Sequence, residues 1–132
     1  MKINDDTITE ILSPCLKKSD SVLYYCYGII NAKIGSMITA DDRNYIIGFT
    51  DKKLIIIRLD GEEEPKKSIA ISYKQIKYAT TSNWLLGFGY TIKMYFDNEF
   101  MLEFELKKNV LGIKEQKENL REICEMLNKK FE

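Results

Sequence analysis

Tyr90-Thr91-Ile92-Lys93-Met94-Tyr95-Phe96 and Phe100-Met101-Leu102-Glu103-Phe104-Glu105-Leu106-Lys107 flank the polar triplet Asp97-Asn98-Glu99. In the first run Tyr90, Ile92, Met94 and Phe96 alternate with Thr91, Lys93, Tyr95 and Asp97. In the second Phe100, Leu102, Phe104 and Leu106 alternate with Met101, Glu103, Glu105 and Lys107. A period of two over this length describes strands with one buried and one wet face, and the short polar turn makes them an antiparallel hairpin.

Moving toward the amino terminus, the same extended pattern recurs in five further runs bounded by turn residues. Val22–Ile34 is long and rich in Tyr and Ile, with Gly28 expected at a bend or bulge. Arg43–Thr50 and Leu54–Leu59 are joined by Asp51-Lys52-Lys53 as a hairpin. Ser68–Tyr73 follows the acidic turn Asp60-Gly61-Glu62-Glu63-Glu64-Pro65. Ile76–Ser82 leads through Trp84 and Gly87-Phe88-Gly89 into Tyr90. Seven antiparallel strands in one meander make a twisted sheet that folds onto itself as a partial barrel with an open end.

Helical periodicity brackets this β region. From Ile113 onward Leu120, Ile123, Cys124, Leu127 and Phe131 fall on one stripe, and Asn109 or Gly112 marks the start. That stripe is expected to plug the barrel. Ahead of the strands, Asp5–Lys18 places Ile8, Ile11, Leu12, Cys15 and Leu16 at helical spacing. Asp5, Asp6 and Thr7 are starting residues, Thr7 with Glu10 has capping-box spacing, and Pro14 splits the helix with Ser13 as a second cap. The chain is thus read as mainly β, with an N-terminal helical segment over residues 1–20 and a barrel with its capping helix over residues 21–132.

Composition narrows the chemistry. The 132 residues carry 20 Lys and Arg against 20 Asp and Glu, no His and three Cys, and 45% are apolar. Zero formal charge supplies no field for nucleic acid or anionic lipid, so neither nucleic acid nor a membrane is expected as a partner. The absence of His removes Ser-His and Cys-His nucleophile pairs. Cys15, Cys26 and Cys124 lack the paired spacing of a structural zinc site. Met1–Ser13 carries Asp5, Asp6 and Glu10 and has no apolar core, and Tyr78–Ile92, the longest uncharged stretch, is too short to span a bilayer. The expectation is a reduced, cytoplasmic protein that is not an enzyme, with no catalytic or metal-binding residues and no cofactor.

Seven strands followed by one carboxy-terminal helix resemble the pleckstrin-homology-like superfold. Tyr45-Ile46-Ile47-Gly48-Phe49-Thr50-Asp51-Lys52-Lys53-Leu54-Ile55-Ile56-Ile57 is similar to the hairpin of bacterial pleckstrin-homology-like domains: apolar strand, Thr-Asp, basic residue, apolar strand. Ile69-Ala70-Ile71-Ser72-Tyr73-Lys74-Gln75-Ile76 resembles their next element. The resemblance covers about Val22–Phe131 and implies a seven-stranded antiparallel partial barrel with a C-terminal helix and a short N-terminal helix. It also implies that the N-terminal helix can serve as an oligomer contact, since some members form rings.

Candidate sites follow. Pleckstrin-type phosphoinositide sites use basic residues around the first two strands, for which this chain offers Lys33, Arg43, Lys52 and Lys53. Asp41, Asp42 and Glu62–Glu64 offset them, so anion binding is the weaker expectation. Gly87-Phe88-Gly89 precedes a strand, with no Lys-Ser/Thr and no following helix, and reads as a turn. Trp84, Leu85, Leu86 and Phe88 crowd one loop, where they either fold over the barrel edge or form a contact patch, and packing is the simpler reading. Tyr24, Tyr25 and Tyr27 are two faces of one strand. Glu103 and Glu105 are wet-face carboxylates, and Cys124 is a core hydrophobe. The favoured function is a noncatalytic protein-interaction or self-assembly module. It would act through Trp84, Leu85, Leu86 and Phe88, through Ile8, Ile11 and Leu12 in a homo-oligomer, or through an edge between strands four and five or five and seven. The alternative is a peripheral, anionic-lipid-binding domain.

Overall fold

A computed structural model describes residues 2–35, 37–61 and 64–131, with the side chains of all of these except 38–42, 64 and 66. Seven strands, β1 (Tyr24–Ile34), β2 (Met37–Phe49), β3 (Lys53–Asp60), β4 (Glu64–Ser72), β5 (Tyr78–Trp84), β6 (Gly89–Tyr95) and β7 (Phe100–Lys107), lie between α1 (Asp5–Leu12) and α2 (Gln116–Lys130). All pairings are antiparallel, in the order β4-β3-β2-β1-β7-β6-β5. The sheet is therefore two meanders, β1–β4 and β5–β7, joined by β1 and β7 rather than one continuous meander. It is not a closed barrel. The edges are β4 and β5, and β6 fills the expected gap between strands five and seven.

The β6–β7 hairpin follows the alternation. Ile92, Met94, Leu102, Phe104 and Leu106 are buried in the main core, and Asn98 and Glu99 both have positive φ (62° and 59°), as a two-residue hairpin turn with right-handed strand twist requires. Strand β2 begins six residues earlier than expected, at Met37. The segment Gly35–Asp42 is not a long loop: Gly35 turns at φ 59° and the ladder resumes at Ile34↔Met37. Likewise Leu59↔Pro65 and Asp60↔Glu64 extend β4 into the acidic segment, where Pro65 sits on an edge strand, the place in a sheet that tolerates proline. The irregularity in β1 falls between Ile29 and Asn31, beside Gly28. At Gly28 a Cβ would meet the Glu105 carbonyl oxygen and Leu106 Cδ2, each at 2.6 Å.

Helix α2 fills the concave face. Leu120, Ile123 and Leu127 are fully buried with Phe49, Phe104 and Met94. The convex face of β1–β3 is covered too. Ile8 and Leu12 of α1 pack on Ile46, Ile55 and Ile57 in a second cluster, and Gly48 makes room for them, since its Cβ would stand 3.0 Å from both Leu12 methyl carbons. The one-face-wet expectation holds for β6 and β7 but not for β2 and β3. Burial stabilises this layer by about 1.5–3 kcal/mol for each large aliphatic side chain.

Polar groups lock the helices. Asn4, not Asp5, Asp6 or Thr7, caps α1: Thr7 N–H donates to Asn4 Oδ1 (2.9 Å) and Asn4 N–H to Thr7 Oγ1 (2.8 Å). Pro14 ends the helix in a 3-10 turn over Ser13–Cys15 rather than starting a second capped turn. Helix α2 starts three residues later than expected and has no cap of its own. Asp5 reaches across, accepting from Lys114 N–H (2.7 Å) and Glu115 N–H (3.3 Å), and from the Tyr25 hydroxyl at 2.6 Å. Gln116 is fully buried: its Nε2 donates to the carbonyls of Tyr27 (2.7 Å) and Lys107 (3.0 Å), while its Oε1 accepts from Tyr27 N–H (3.1 Å).

Two measurements check this locking. Gln116→Leu should cost about 2–4 kcal/mol in denaturant unfolding, because three buried backbone groups lose their partners. Burial pushes the Asp5 carboxyl up, but the Tyr25 hydroxyl and the Lys114 and Glu115 amides outweigh it and hold the group below its ordinary 3.8. A depressed folded value means that this stabilisation is complete above 3.8 and fades as pH falls below it. Asp5→Asn should therefore flatten the acid limb of a stability-versus-pH curve.

Candidate functional site

Between β5 and β6 the chain has four residues, Leu85-Leu86-Gly87-Phe88, closed by the cross-strand pair Trp84↔Gly89. The Trp84 indole lies over Gly89, where a Cβ would stand 2.8 Å from its ring and 2.6 Å from the Leu106 carbonyl oxygen. Only glycine allows that approach. The turn is fixed at its base by Phe88 N–H donating to the Leu85 carbonyl (3.0 Å) and Lys108 N–H donating to the Phe88 carbonyl (2.9 Å). Leu85, Leu86 and Gly87 are consecutively left-handed, with φ of 53°, 54° and 93°. For a leucine this conformation costs roughly 1–2 kcal/mol.

This backbone throws the apolar side chains outward. Leu86 is fully exposed, Phe88 is 69% exposed and Leu85 47%. The simpler expectation, that this cluster folds over the barrel edge, holds for Trp84 alone, which is half-buried on Gly89. Trp84 also walls a cleft of about 280 Å³ together with Tyr27, Ile29, Glu105, Lys107 and Val110. Leu111, next to Val110 on the β7–α2 connection, is 98% exposed. It was not singled out from sequence, because a lone leucine between polar residues gives no periodic signal.

The other expected contact residues lie elsewhere. Ile8 and Leu12 are buried against the chain's own sheet and Ile11 is partly buried beside them, so α1 spends its apolar stripe internally. The basic candidates do not converge. Lys33 faces Ile38 at the start of β2, Arg43 lies within β2, and Lys52 and Lys53 follow its end. The 13 residues of β2 span about 40 Å. Three of the four pair with carboxylates: Lys33 with Glu103 (3.7 Å), Arg43 with Asp60 (3.9 Å) and Lys53 with Asp20 (2.9 Å). The side chains of Asp41, Asp42 and Glu64, and residues 62 and 63, lie outside the described residues.

The Thr50-Asp51-Lys52-Lys53 turn has a local physical basis. Thr50 is buried, and its Oγ1 accepts from Lys52 N–H and Lys53 N–H (3.1 Å each) and donates to the Lys53 carbonyl (3.0 Å). The Tyr73 hydroxyl donates to the Thr50 carbonyl at 2.6 Å. These bonds give the motif a structural role in shaping the β2–β3 turn. Burial pushes the Cys124 thiol up to about 11 and the Cys26 thiol higher still, which disfavours the reactive thiolate at both. Among the described residues, no three His, Cys, Asp or Glu side chains converge as metal ligands, and no helix is long and apolar enough to cross a membrane.

The strained loop makes a direct prediction. Leu86→Gly removes a left-handed leucine and no buried contact, so it should raise stability by roughly 0.5–1 kcal/mol in thermal or denaturant unfolding.

Comparison with known proteins places this architecture. No curated protein matches the chain in sequence. Among solved structures, the Vps36 N-terminal PH domain aligns with a TM-score of 0.51 at 14% identity, covering 83% of this chain and 86% of that one. The hSac2 domain from the human phosphoinositide phosphatase Sac2 aligns with a TM-score of 0.51 at 12% identity, covering 96% of this chain and 82% of that one. At these identities the likeness shows the fold alone. A family model described as bacterial PH domain matches residues 16–129. This chain belongs to the bacterial PH domain family.

Proposed function

We propose that this chain is a noncatalytic protein-interaction module whose contact surface is the β5–β6 loop, with Leu85, Leu86 and Phe88 as anchors. PH domains are in general protein- or lipid-interaction modules, and the family match supports that coarse class. The observation that carries the finer reading is the Leu85-Leu86-Gly87-Phe88 tip. Three large apolar side chains are exposed on a loop whose base is held by hydrogen bonds and whose backbone is strained. Exposure costs stability that a partner recovers when it buries the tip, and backbone strain of this kind is concentrated at binding loops. A held backbone also lowers the entropy lost on binding.

Anionic-lipid recognition is the competing reading. Lys107 and Lys108 beside the loop favour it, whereas the carboxylate partners of Lys33, Arg43 and Lys53 weaken it. A photo-activated crosslinking residue at position 86 separates the two in cells of the source organism. The expected result is a discrete protein adduct that disappears with Phe88→Asp and is absent when the crosslinker sits at the exposed Glu125. Salt-sensitive cosedimentation with phosphatidylserine vesicles, with no protein adduct, would move the assignment to lipid.

A further inference from the structure

We propose that the outer edge of β4 pairs with the same edge of a second copy, across a two-fold axis at Ala70. The segment Ser68-Ile69-Ala70-Ile71-Ser72 reads the same in both directions. In an antiparallel pair centred on Ala70, Ser68 therefore stands opposite Ser72 and Ile69 opposite Ile71. That is the self-complementarity an isologous dimer needs.

The backbone phase fits. Tyr73 N–H donates to the Lys52 carbonyl at 3.1 Å, and the β3–β4 register runs without a shift from Lys53↔Ser72 to Ile57↔Ser68. Tyr73, Ile71 and Ile69 thus turn their polar backbone groups toward β3, whereas those of Ser72, Ala70 and Ser68 point away from the sheet. Ser72 shows this directly, since its N–H donates to the Gln75 side-chain Oε1 at 2.9 Å. No described residue bonds the outward groups of Ser68 and Ala70. Two copies could form four backbone hydrogen bonds, two between the Ala70 residues and one from each Ser68 N–H to the opposite Ser72 carbonyl, with Gln75 undisturbed.

The side chains agree. Ile69 and Ile71 lie on the core face of β4, opposite Ile56 and Leu54. Ile71 packs on the core, but Ile69 is 55% exposed. In the dimer each Ile69 would meet the opposite Ile71 at a non-hydrogen-bonded position, where side chains approach most closely. Edge strands are normally guarded by charge or proline. Here Pro65, Lys66 and Lys67 guard the first half of β4, and no charge follows until Lys74. A second copy suits this edge better than an unrelated peptide, because one uncharged stretch supplies both complementary sides. The surface is separate from the β5–β6 loop, so the dimer stands or falls independently of the proposed function.

Sedimentation equilibrium of the full chain over a concentration series tests this. The mass should rise from one copy to two and stop there, and should stay that of one copy in Ala70→Pro. Proline at position 70 removes an N–H that bonds nothing within the protomer, so the far-ultraviolet circular dichroism should be retained. Should the proline variant fail to fold, Ile69→Lys serves in its place at an exposed position. Leu86→Glu, on the other surface, should leave the dimer intact. A wild type that remains a single copy at its highest soluble concentration, a mass beyond two, or a dimer that survives the edge substitution would overturn the proposal.

Discussion

The free edge of the first half of β1 is the constraint around which this molecule is organised. Residues 24–28 pair with β2 on one side, but β7 joins β1 only from Ile29 onward. On the open side the backbone groups of Tyr25 and Tyr27 would otherwise be buried without partners, at about 1–3 kcal/mol each. Helix α2 supplies partners for three of those groups, both of Tyr27 and the carbonyl of Tyr25, from its own side chains. Gln116 serves Tyr27 on both its N–H and its carbonyl, and Asn119 Nδ2 donates to the Tyr25 carbonyl at 3.0 Å. The helix thus acts as a surrogate strand along this stretch. Its register on β1 sets which residues face the concave core, bringing Leu120, Ile123 and Leu127 onto the sheet. Asp5 then ties α1 to the start of the same helix, so both convex and concave layers depend on one polar seam.

The two halves of the sheet consequently face different surroundings. Where Ile46–Phe49 of β2 pair with Leu54–Ile57 of β3, both faces are buried. Around β5, β6 and β7 the convex face carries Lys93, Glu103 and Glu105, and exposed apolar side chains include Leu85, Leu86 and Phe88 of the loop after Trp84, Leu111, and Tyr78 in β5. The doubly covered half is thus the more deeply buried one, and the exposed β5–β6 loop projects from the other. Lys33, Arg43 and Lys53 are engaged by carboxylates within the first half of the sheet.

Much of this was legible from residue patterns. The β6–β7 alternation, the turn at Asp97-Asn98-Glu99 and the α2 stripe are local signals, and the structure follows them. Two-sided burial also had a sequence signal that the alternation argument passed over: Leu54-Ile55-Ile56-Ile57 is continuously apolar, as a strand covered on both faces requires. Other features were not local. The pairing of β1 with β7 and the resulting edge positions of β4 and β5 depend on long-range closure, which no single segment encodes. Gln116 and Asn119 look like ordinary polar helix residues, and their role appears only when β1 lies beside them. Within the candidate site, Trp84, Leu85, Leu86 and Phe88 were visible as a cluster. Their exposure was not, because it follows from left-handed backbone angles that nothing in two leucines announces. The α1 residues Ile8 and Leu12 were read correctly as an apolar stripe, but their partner proved to be the chain's own convex face.

The surrogate-strand role of α2 is tested most directly at one atom, the Tyr27 amide hydrogen, by native-state hydrogen exchange. Bonded to Gln116 within the seam, it should exchange only through global unfolding, with protection matching that of the buried β2 amide of Ile47. Exchange at the rate of a solvent-exposed edge amide would show that the helix does not close the first half of β1, and the seam would lose its place as the organising contact.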